Sequence, residues 1–328
     1  MTARPAHRPS VGGTRALGLA VGFAADLVFA DPGRGHPVGL FGSGAAQLER
    51  LCWRDSRAIG ALFALACVVP VAAAATTLQR VAGVRTRPGA VALAVATWTS
   101  LGATSLAREG FALRRLLDAG DLDAARRRVT HLCARDPDEL DAQAITRAAV
   151  ESIAENTSDA LVAPLLWGLV AGVPGVLTYR AINTLDAMVG YRSPRYRRFG
   201  WAAARLDDAA NLIPARVTAA LAALLAPVVG GSSVAAVRVI RRDGRAHPSP
   251  NAGRCEAAFA GALGIRLGGA NRYGGEPERR PCLGAGPSPS RADIDRAIRL
   301  SRAIGIVTVL LAAGASTAWR RRGRGAQI

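Results

Sequence analysis

Lysine is absent from this chain of 328 residues, so the formal charge of +18 rests on arginine alone. Without lysine there can be no GxxxxGK[ST] loop, which excludes a Walker-type nucleotide site. Aromatic residues are only 5% of the chain. The arginines are scattered among apolar segments and form no basic stripe interleaved with aromatics, so nucleic acid is not an expected partner. The five cysteines (Cys52, Cys67, Cys133, Cys255, Cys282) include no CxxC pair. Neither a zinc knuckle nor a disulfide framework is indicated. No cleavable signal peptide is read either. The apolar stretch Ala16 to Ala30 is interrupted by Asp26, lacks a tidy cleavage site, and reads as a first membrane segment.

What the chain has in abundance is uncharged apolar sequence. Half of its residues are hydrophobic, and the mean hydropathy is +0.19. Residues 58–79, 88–107, 160–179, 217–237 and 303–319 contain no Asp, Glu, Lys or Arg. A bilayer span needs about 20 such residues. Ala and Gly at this density suit close helix packing in lipid. The expected fold is an all-α integral membrane protein with about five to six membrane-associated helices and polar helical or loop inserts. Residues 1–15 are expected to be a disordered N-terminus. Residues 16–320 are expected to form a single membrane-embedded catalytic domain, with polar inserts at 108–159 and 243–290 and a cationic tail at 321–328. Trp319 reads as an interface anchor. The run 160–179 carries Gly172-Val173-Pro174-Gly175 at its middle. Gly suits a helix end and Pro a helix start. Two short helices with a tight turn are therefore expected, returning Asn183 and Asp186 to the side of Asp159. Gly230-Gly231-Ser232-Ser233 is expected to end one helix and cap a short amphipathic one.

Acidic clusters stand directly against two of the apolar runs, and carboxylates at membrane depth are functional candidates by default. Glu151, Glu155 and Asp159 follow at i, i+4, i+8 on one helical face, with Asn156 beside them. Like charges at this spacing repel unless a cation sits on the row. Mg²⁺ suits carboxylate oxygens and bridges to substrate phosphates. Asp207, Asp208 and Asn211 form a second acidic pattern, with Asp207 and Asn211 sharing a face and Arg216 nearby. The expected Mg²⁺ ligands are Glu151, Glu155, Asp159, Asp207 and Asp208, and the four carboxylates from Glu155 to Asp208 are expected to converge on one polar pocket near the membrane surface. The alternative is that both clusters are solvated helix ends. Asn183, Asp186 and Arg192 precede a dense cationic stretch, and Arg is suited to bidentate phosphate recognition. Two His-Pro turns, at His36-Pro37 and His247-Pro248, hold an imidazole near a site, as ligand or acid/base or as a structural hydrogen bonder. Asn251 follows the second. Leu267 to Gly275 is a Gly-rich loop able to turn backbone N–H groups onto an anion. It contains Asn271 and Tyr273.

These motifs together resemble the CobD/CbiB family of cobalamin biosynthesis. The resemblance rests on Asp31-Pro32 with His36-Pro37-Val38, Glu151 to Asp159, Asn183 to Tyr191, and Arg205 to Asp208 with Asn211 and Pro214-Ala215-Arg216. It is completed by His247 to Gly253 and by Leu267-Gly268-Gly269 with Asn271 and Tyr273-Gly274-Gly275. It covers roughly residues 20–320, and the motifs in this order are specific. It departs from the family at Ala30, at Pro137 and at Arg254-Cys255. The resemblance implies a multi-pass protein of the cytoplasmic membrane with adenosylcobinamide-phosphate synthase activity. That reaction is ATP-driven amide formation between adenosylcobyric acid and aminopropanol phosphate or a related amino alcohol phosphate. It implies ATP and Mg²⁺ as cofactors and the corrinoid as substrate, with other cobalamin-pathway enzymes as possible partners. Glu155, Asp159, Asp207, Asp208, His36 and His247 are then the expected catalytic residues. Asn156, Asn183, Asp186, Arg192, Asn211, Arg216, Asn251, Asn271 and Tyr273 are the expected substrate and phosphate binders. A membrane prenyl- or phospho-transferase, or a non-catalytic scaffold for corrinoid enzymes, is the competing reading.

Overall fold

The computed structural model describes residues 10–31, 35–133, 136–138, 140–191, 193–273 and 276–325, and the side chains of these apart from 271–273, 276–278 and 316–325. The helices in chain order begin with α1 (Val11–Phe29), α2 (Pro37–Cys52), α3 (Arg57–Ala82), α4 (Arg87–Trp98) and α5 (Ala103–Asp118). There follow α6 (Leu122–Val129), α7 (Ala142–Thr157), a π-helical turn (Ser158–Val162), α8 (Ala163–Ala171), α9 (Val173–Val189) and α10 (Trp201–Ala210). The last are α11 (Leu212–Leu224), a 3-10 turn (Ala226–Val229), α12 (Ser233–Asp243), α13 (Ala252–Leu263) and α14 (Arg291–Gly325). An antiparallel hairpin of β1 (Leu267–Tyr273) and β2 (Glu276–Leu283) precedes α14.

The protein is an all-α membrane protein. Four stretches are long and apolar enough to cross a membrane: Val11–Phe29, Arg57–Ala82, Arg87–Asp118 and Arg291–Ala315. The first helix opens at Val11, capped by the Ser10 hydroxyl, which accepts from Gly13 N–H at 3.1 Å. Residues 11–15 are thus helical rather than part of a disordered tail. The run 88–107 is not one straight helix, because the chain leaves α4 at Trp98 and restarts at Ala103.

The described residues pack as two compact units within the span read as one domain. One takes its residues from Met1–Leu101, Pro164–Ala210 and Val307–Ile328; the other from Gly102–Ala163 and Asn211–Ile306. The first unit is built on α3, α9 and α10. Its core joins Phe63 and Cys67 of α3 to Leu185 and Val189 of α9, with Phe199 and Ala203. Glu49 of α2 is buried there, and its Oε1 accepts from Arg195 Nη2 at 2.9 Å and from the Tyr196 hydroxyl at 3.0 Å.

The break expected at Gly172–Gly175 is present. Gly172 has φ +70°, a region costly to residues with a Cβ, and Pro174 lies in the first turn of α9. Side chains of other helices satisfy orphan groups at both helix ends. Arg15 Nη1 donates to the Leu169 and Val170 carbonyls at 3.0 and 2.8 Å. Gln79 Oε1 accepts from Val173 N–H at 3.0 Å. These bonds offset part of the cost of exposing backbone polar groups where the chain reverses in apolar surroundings.

The second unit is organised around α13, whose residues are buried apart from Arg254. Small side chains permit this. A Cβ on Gly261 would stand 2.6 Å from Ala236 Cα, so α12 and α13 meet at backbone distance. Ser232 caps α12 as expected, its hydroxyl accepting from Ala235 N–H at 3.3 Å. Ser290 precedes α14 and donates backbone N–H and hydroxyl to Asp293, at 2.8 and 2.7 Å. This is the acidic half of a capping box. The region 267–283, expected as a polar loop, is instead a two-stranded hairpin. Register runs from Leu267 opposite Leu283 to Tyr273 opposite Glu276, with an irregularity between Leu267 and Gly269.

Asp243 ties α12 to the end of this hairpin. Its carboxylate accepts from Arg242 at 2.6 and 2.7 Å and from Gly284 N–H at 2.8 Å. The Arg242 guanidinium, and after it the Gly284 N–H, hold the carboxyl below its ordinary value against the opposing effect of burial. A lowered folded pKa means the stabilisation is fully present above the unfolded carboxylate range, near 4, and is lost as pH falls through the lower folded value. The thermal midpoint of detergent-solubilised protein should therefore exceed that of Asp243→Asn at pH 7. The gap should close as pH drops below about 4. A gap independent of pH would assign the contact to shape alone.

Candidate active site

In the second unit, α7 carries Glu151, Glu155 and Asn156, and the π turn carries Ser158 and Asp159. The helix widens here for a reason visible in the sequence. Pro164 has no N–H for the carbonyl of Ala160, four residues back. That carbonyl accepts instead from Gly102 N–H at 3.0 Å, and Ala163 N–H bonds back to Ser158. Single π turns of this kind recur at functional sites. The second acidic motif follows the same rule. Pro214 leaves the Ala210 carbonyl without its helical donor, and Trp167 Nε1 supplies one at 3.1 Å. The helix therefore ends at Ala210, and Asn211 sits at the junction of α10 and α11 instead of one turn along the same helix as Asp207.

The row Glu151–Glu155–Asp159 does not act as one set. Glu151 is 4% exposed, and its Oε1 accepts from Gly268 N–H at 2.7 Å. Arg147 lies 4.0 Å from the same oxygen and donates Nη2 to the Ala270 carbonyl at 2.7 Å. The Gly-rich segment thus does turn an N–H onto an anion, but that anion is a carboxylate of this chain. Asn156 donates back to the Ser152 carbonyl at 2.9 Å.

Glu155 and Asp159 are half-buried and act together on the buried thiol of Cys255. That thiol is pushed well above its ordinary value, first by burial and then by the Asp159 carboxylate, with Glu155 and Glu256 adding and a hydrogen bond to Ser158 opposing. Its Sγ lies 3.7 Å from the Ala215 carbonyl. Cys255 is therefore held as a thiol, and the charged donors beside it are hard carboxylate oxygens.

His247 lies against α13 because Gly253 has no side chain; a Cβ there would stand 2.2 Å from His247 Cβ. Its Nδ1 accepts from Ser249 N–H at 3.1 Å, and its Nε2 stands 3.8 Å from the buried Glu256 Oε1. The first His-Pro turn is built alike: His36 Nδ1 accepts from Val38 N–H at 3.1 Å and caps α2. Proline has no N–H, so the residue after it is the first backbone donor within reach. In both turns Nδ1 is thus an acceptor and Nε2 is left as the other nitrogen.

In the first unit His36 is held below its ordinary pKa, chiefly by burial, with Asp31 opposing and Arg180 reinforcing. Arg180 Nη1 donates to Asn183 Oδ1 at 3.2 Å, and Asn183 Nδ2 donates to Asp207 Oδ1 at 3.2 Å. Asp208 stands 3.5 Å from Arg205. Asp186 is half-buried over Gly190, where a Cβ would meet its Oδ1 at 1.9 Å. Arg216, in the second unit, donates to the Leu212 carbonyl at 2.6 Å and lies 3.4 Å from Asn251 Oδ1.

The expected residues thus fall into two groups. Glu155 and Asp159 gather around Cys255, and Arg216 joins Asn251, all in the second unit. His36, Asn183 and Asp207 line up in the first. Arg192 and the side chains of Asn271 and Tyr273 lie outside the described residues. Sequence reasoning missed Arg180, Ser158, Cys255 and Glu256. Arg180 was signalled by its i, i+3 spacing to Asn183, and Cys255-Glu256 by following the second His-Pro turn directly.

Among the described residues no group of three His, Cys, Asp or Glu is close enough to hold a metal by itself. A pair of carboxylates still fits Mg²⁺, which takes one or two carboxylates, waters and substrate phosphates.

Residues 19–301 match the family described as CobD/Cbib protein. The chain is 56% identical over 299 residues to the cobalamin biosynthesis protein CobD of Mycobacterium tuberculosis, covering 91% of this chain and 95% of that one. It is 45% identical over 298 residues to that of Geobacter metallireducens, covering 89% and 94%. The match to that of Rhodobacter capsulatus is 44% over 291 residues, covering 84% and 90%. No solved structure matches. The matched span takes in both acidic stretches, both His-Pro turns and the Gly-rich hairpin, and the chain belongs to the CobD/CbiB family of cobalamin biosynthesis.

Proposed function

We propose that this protein is an ATP-dependent ligase of the cytoplasmic membrane, crossing it several times. It would join the propionate carboxylate of adenosylcobyric acid to aminopropanol phosphate, or a related amino alcohol phosphate, as an amide. The observation that carries the reading is the carboxylate pair Glu155–Asp159 at a π turn, half-buried beside a thiol held protonated. A carboxylate and an amine do not condense in water without activation. Phosphoryl transfer from ATP to the carboxylate oxygen, releasing ADP, supplies it; the amine nitrogen then attacks the carbonyl carbon, and phosphate and a proton leave.

Glu155 and Asp159 would hold Mg²⁺, which neutralises charge on the transferred phosphoryl group. In the first unit, Asp207, oriented by Asn183, and Asp208 form a separate pair of oxygen donors whose chemistry suits a divalent cation. His36 suits a proton acceptor. Burial favours its neutral form, and the Val38 N–H occupies Nδ1, so Nε2 is the nitrogen left to take the ammonium proton. His247 and Glu151 serve as positioning residues, one shaping the Asn251 loop and the other holding the hairpin.

The deciding experiment incubates membranes carrying the protein with adenosylcobyric acid, aminopropanol phosphate and MgATP. Adenosylcobinamide phosphate is the expected product, detected by mass. Absence of this product, together with turnover of a prenyl diphosphate, would replace the ligase with a membrane transferase. Absence of both would leave the scaffold reading.

A further inference from the structure

Between α11 and α12 runs a cavity of ≈ 470 Å³ whose lining changes character along its length. The two helices are antiparallel neighbours joined through the 3-10 turn, so Arg216 at the start of α11 comes opposite Arg241 at the end of α12. Arg254 of α13 completes this end. Beyond it the walls are Ala219, Ala220 and Ala223 of α11 and Val237 of α12, ending at Leu224 and Ser233. From Arg216 to Leu224 is about 12 Å at 1.5 Å per residue.

Three features point to an occupant. The cationic end is uncompensated: among the described residues no carboxylate pairs with Arg216, Arg241 or Arg254, and Arg254 is held below its ordinary value by burial and by the neighbouring charges of Arg216 and Arg245. The outer surface of the helices that wall the groove is greasy. Among the described residues of this unit, every exposed large hydrophobic except Ile306 lies on α11, the 3-10 turn or α12: Leu224, Val228, Val234 and Val237 around the apolar end, and Leu212 and Ile213 beyond the arginine end. Finally, the whole stands in a membrane protein, where basic pockets between helices accept lipid head groups.

We propose that this groove binds an acidic phospholipid, with the phosphate on the arginine end and an acyl chain along the alanine walls. Guanidinium forks match phosphate oxygens bidentately. A shallow wall of alanines leaves room for methylenes, whose burial is favourable. A free phosphate ester shares the head-group chemistry but has no use for the apolar length.

The test uses full-length protein, delipidated in a neutral detergent and read by native mass spectrometry and thermal unfolding. Dioctanoyl-phosphatidylglycerol is titrated against dioctanoyl-phosphatidylcholine, which has the tail without net charge, and glycerol phosphate, which has the charge without the tail. Phosphatidylglycerol should bind and raise the unfolding midpoint, well ahead of both. Arg241→Gln/Arg254→Gln should weaken it about 30-fold, at roughly 1 kcal/mol per arginine. Should that variant not fold, Ala220→Phe fills the exposed groove with the charges intact and should lose the same lipid. Glycerol phosphate binding as tightly as phosphatidylglycerol would convert the groove into a site for a soluble phosphate ester. Equal phosphatidylglycerol affinity in wild type and variants would remove it altogether.

Discussion

Replacing Asp159 with alanine is expected to lower amide formation by ~10³-fold or more while the protein still inserts and folds. The carboxylate lies at the π turn, one turn beyond Glu155, and neither side chain builds the core around it. Its loss would remove a ligand proposed to hold the Mg²⁺ that neutralises developing phosphoryl charge. Asp159→Asn keeps the shape without the charge and should be impaired nearly as much. Asp207→Ala should behave alike, because the residue is 9% exposed and its carboxylate is oriented by Asn183. Turnover is followed as adenosylcobinamide phosphate formed at saturating Mg²⁺, with the unfolding midpoint checked for each variant. If Asp159→Ala and Asp207→Ala both turn over near the wild-type rate, these carboxylates are solvated helix residues and the chemistry lies elsewhere.

Gly60→Ala should be strongly destabilising. A Cβ at this position would stand 1.8 Å from the Phe199 carbonyl oxygen and 2.6 Å from its carbon. Both are backbone atoms, so no side-chain rotation relieves the clash. Helix α3 would have to move away from the segment leading into α10. That segment is anchored: Phe199 is 1% exposed and its ring lies 5.0 Å from that of Phe63. Overpacking a well-packed core costs about 1–3 kcal/mol even where neighbours can shift, and backbone contact places this variant at or above the upper end. At that size the unfolding midpoint in detergent should fall by roughly 6–12 °C, taking 2–4 °C per kcal/mol. Gly39→Ala is the control, since nothing lies within 4 Å of its Cβ position, and it should unfold as wild type does. Equal midpoints for the two variants would contradict the close approach of α3 to Phe199.

Membrane class, the break at Gly172, the cap at Ser232 and the family were legible in the residues themselves. Each depends on local chemistry or on a run of composition. Uncharged stretches near 20 residues mean lipid, Gly and Pro punctuate helices, and hydroxyls cap them. The site residues were legible as types and only partly as sets. Helical spacing grouped Glu151 with Glu155 and Asp159, but spacing does not reveal which neighbour a side chain meets. Gly268 N–H takes Glu151 for the hairpin. Periodicity likewise placed Asp207 and Asn211 on one face, although Pro214 ends that helix between them.

A helical membrane chain with two acidic motifs, each followed within a few residues by a proline, can be read from residue order alone. What those prolines do depends on the folded chain. A carbonyl deprived of its helical donor needs another, and the folded chain brings Gly102 N–H to Ala160 and Trp167 Nε1 to Ala210. The same holds for the Cys255 thiol beside Glu155 and Asp159, and for three arginines left together without a carboxylate. Those neighbours are far apart in sequence, and no local propensity specifies contacts made at that distance.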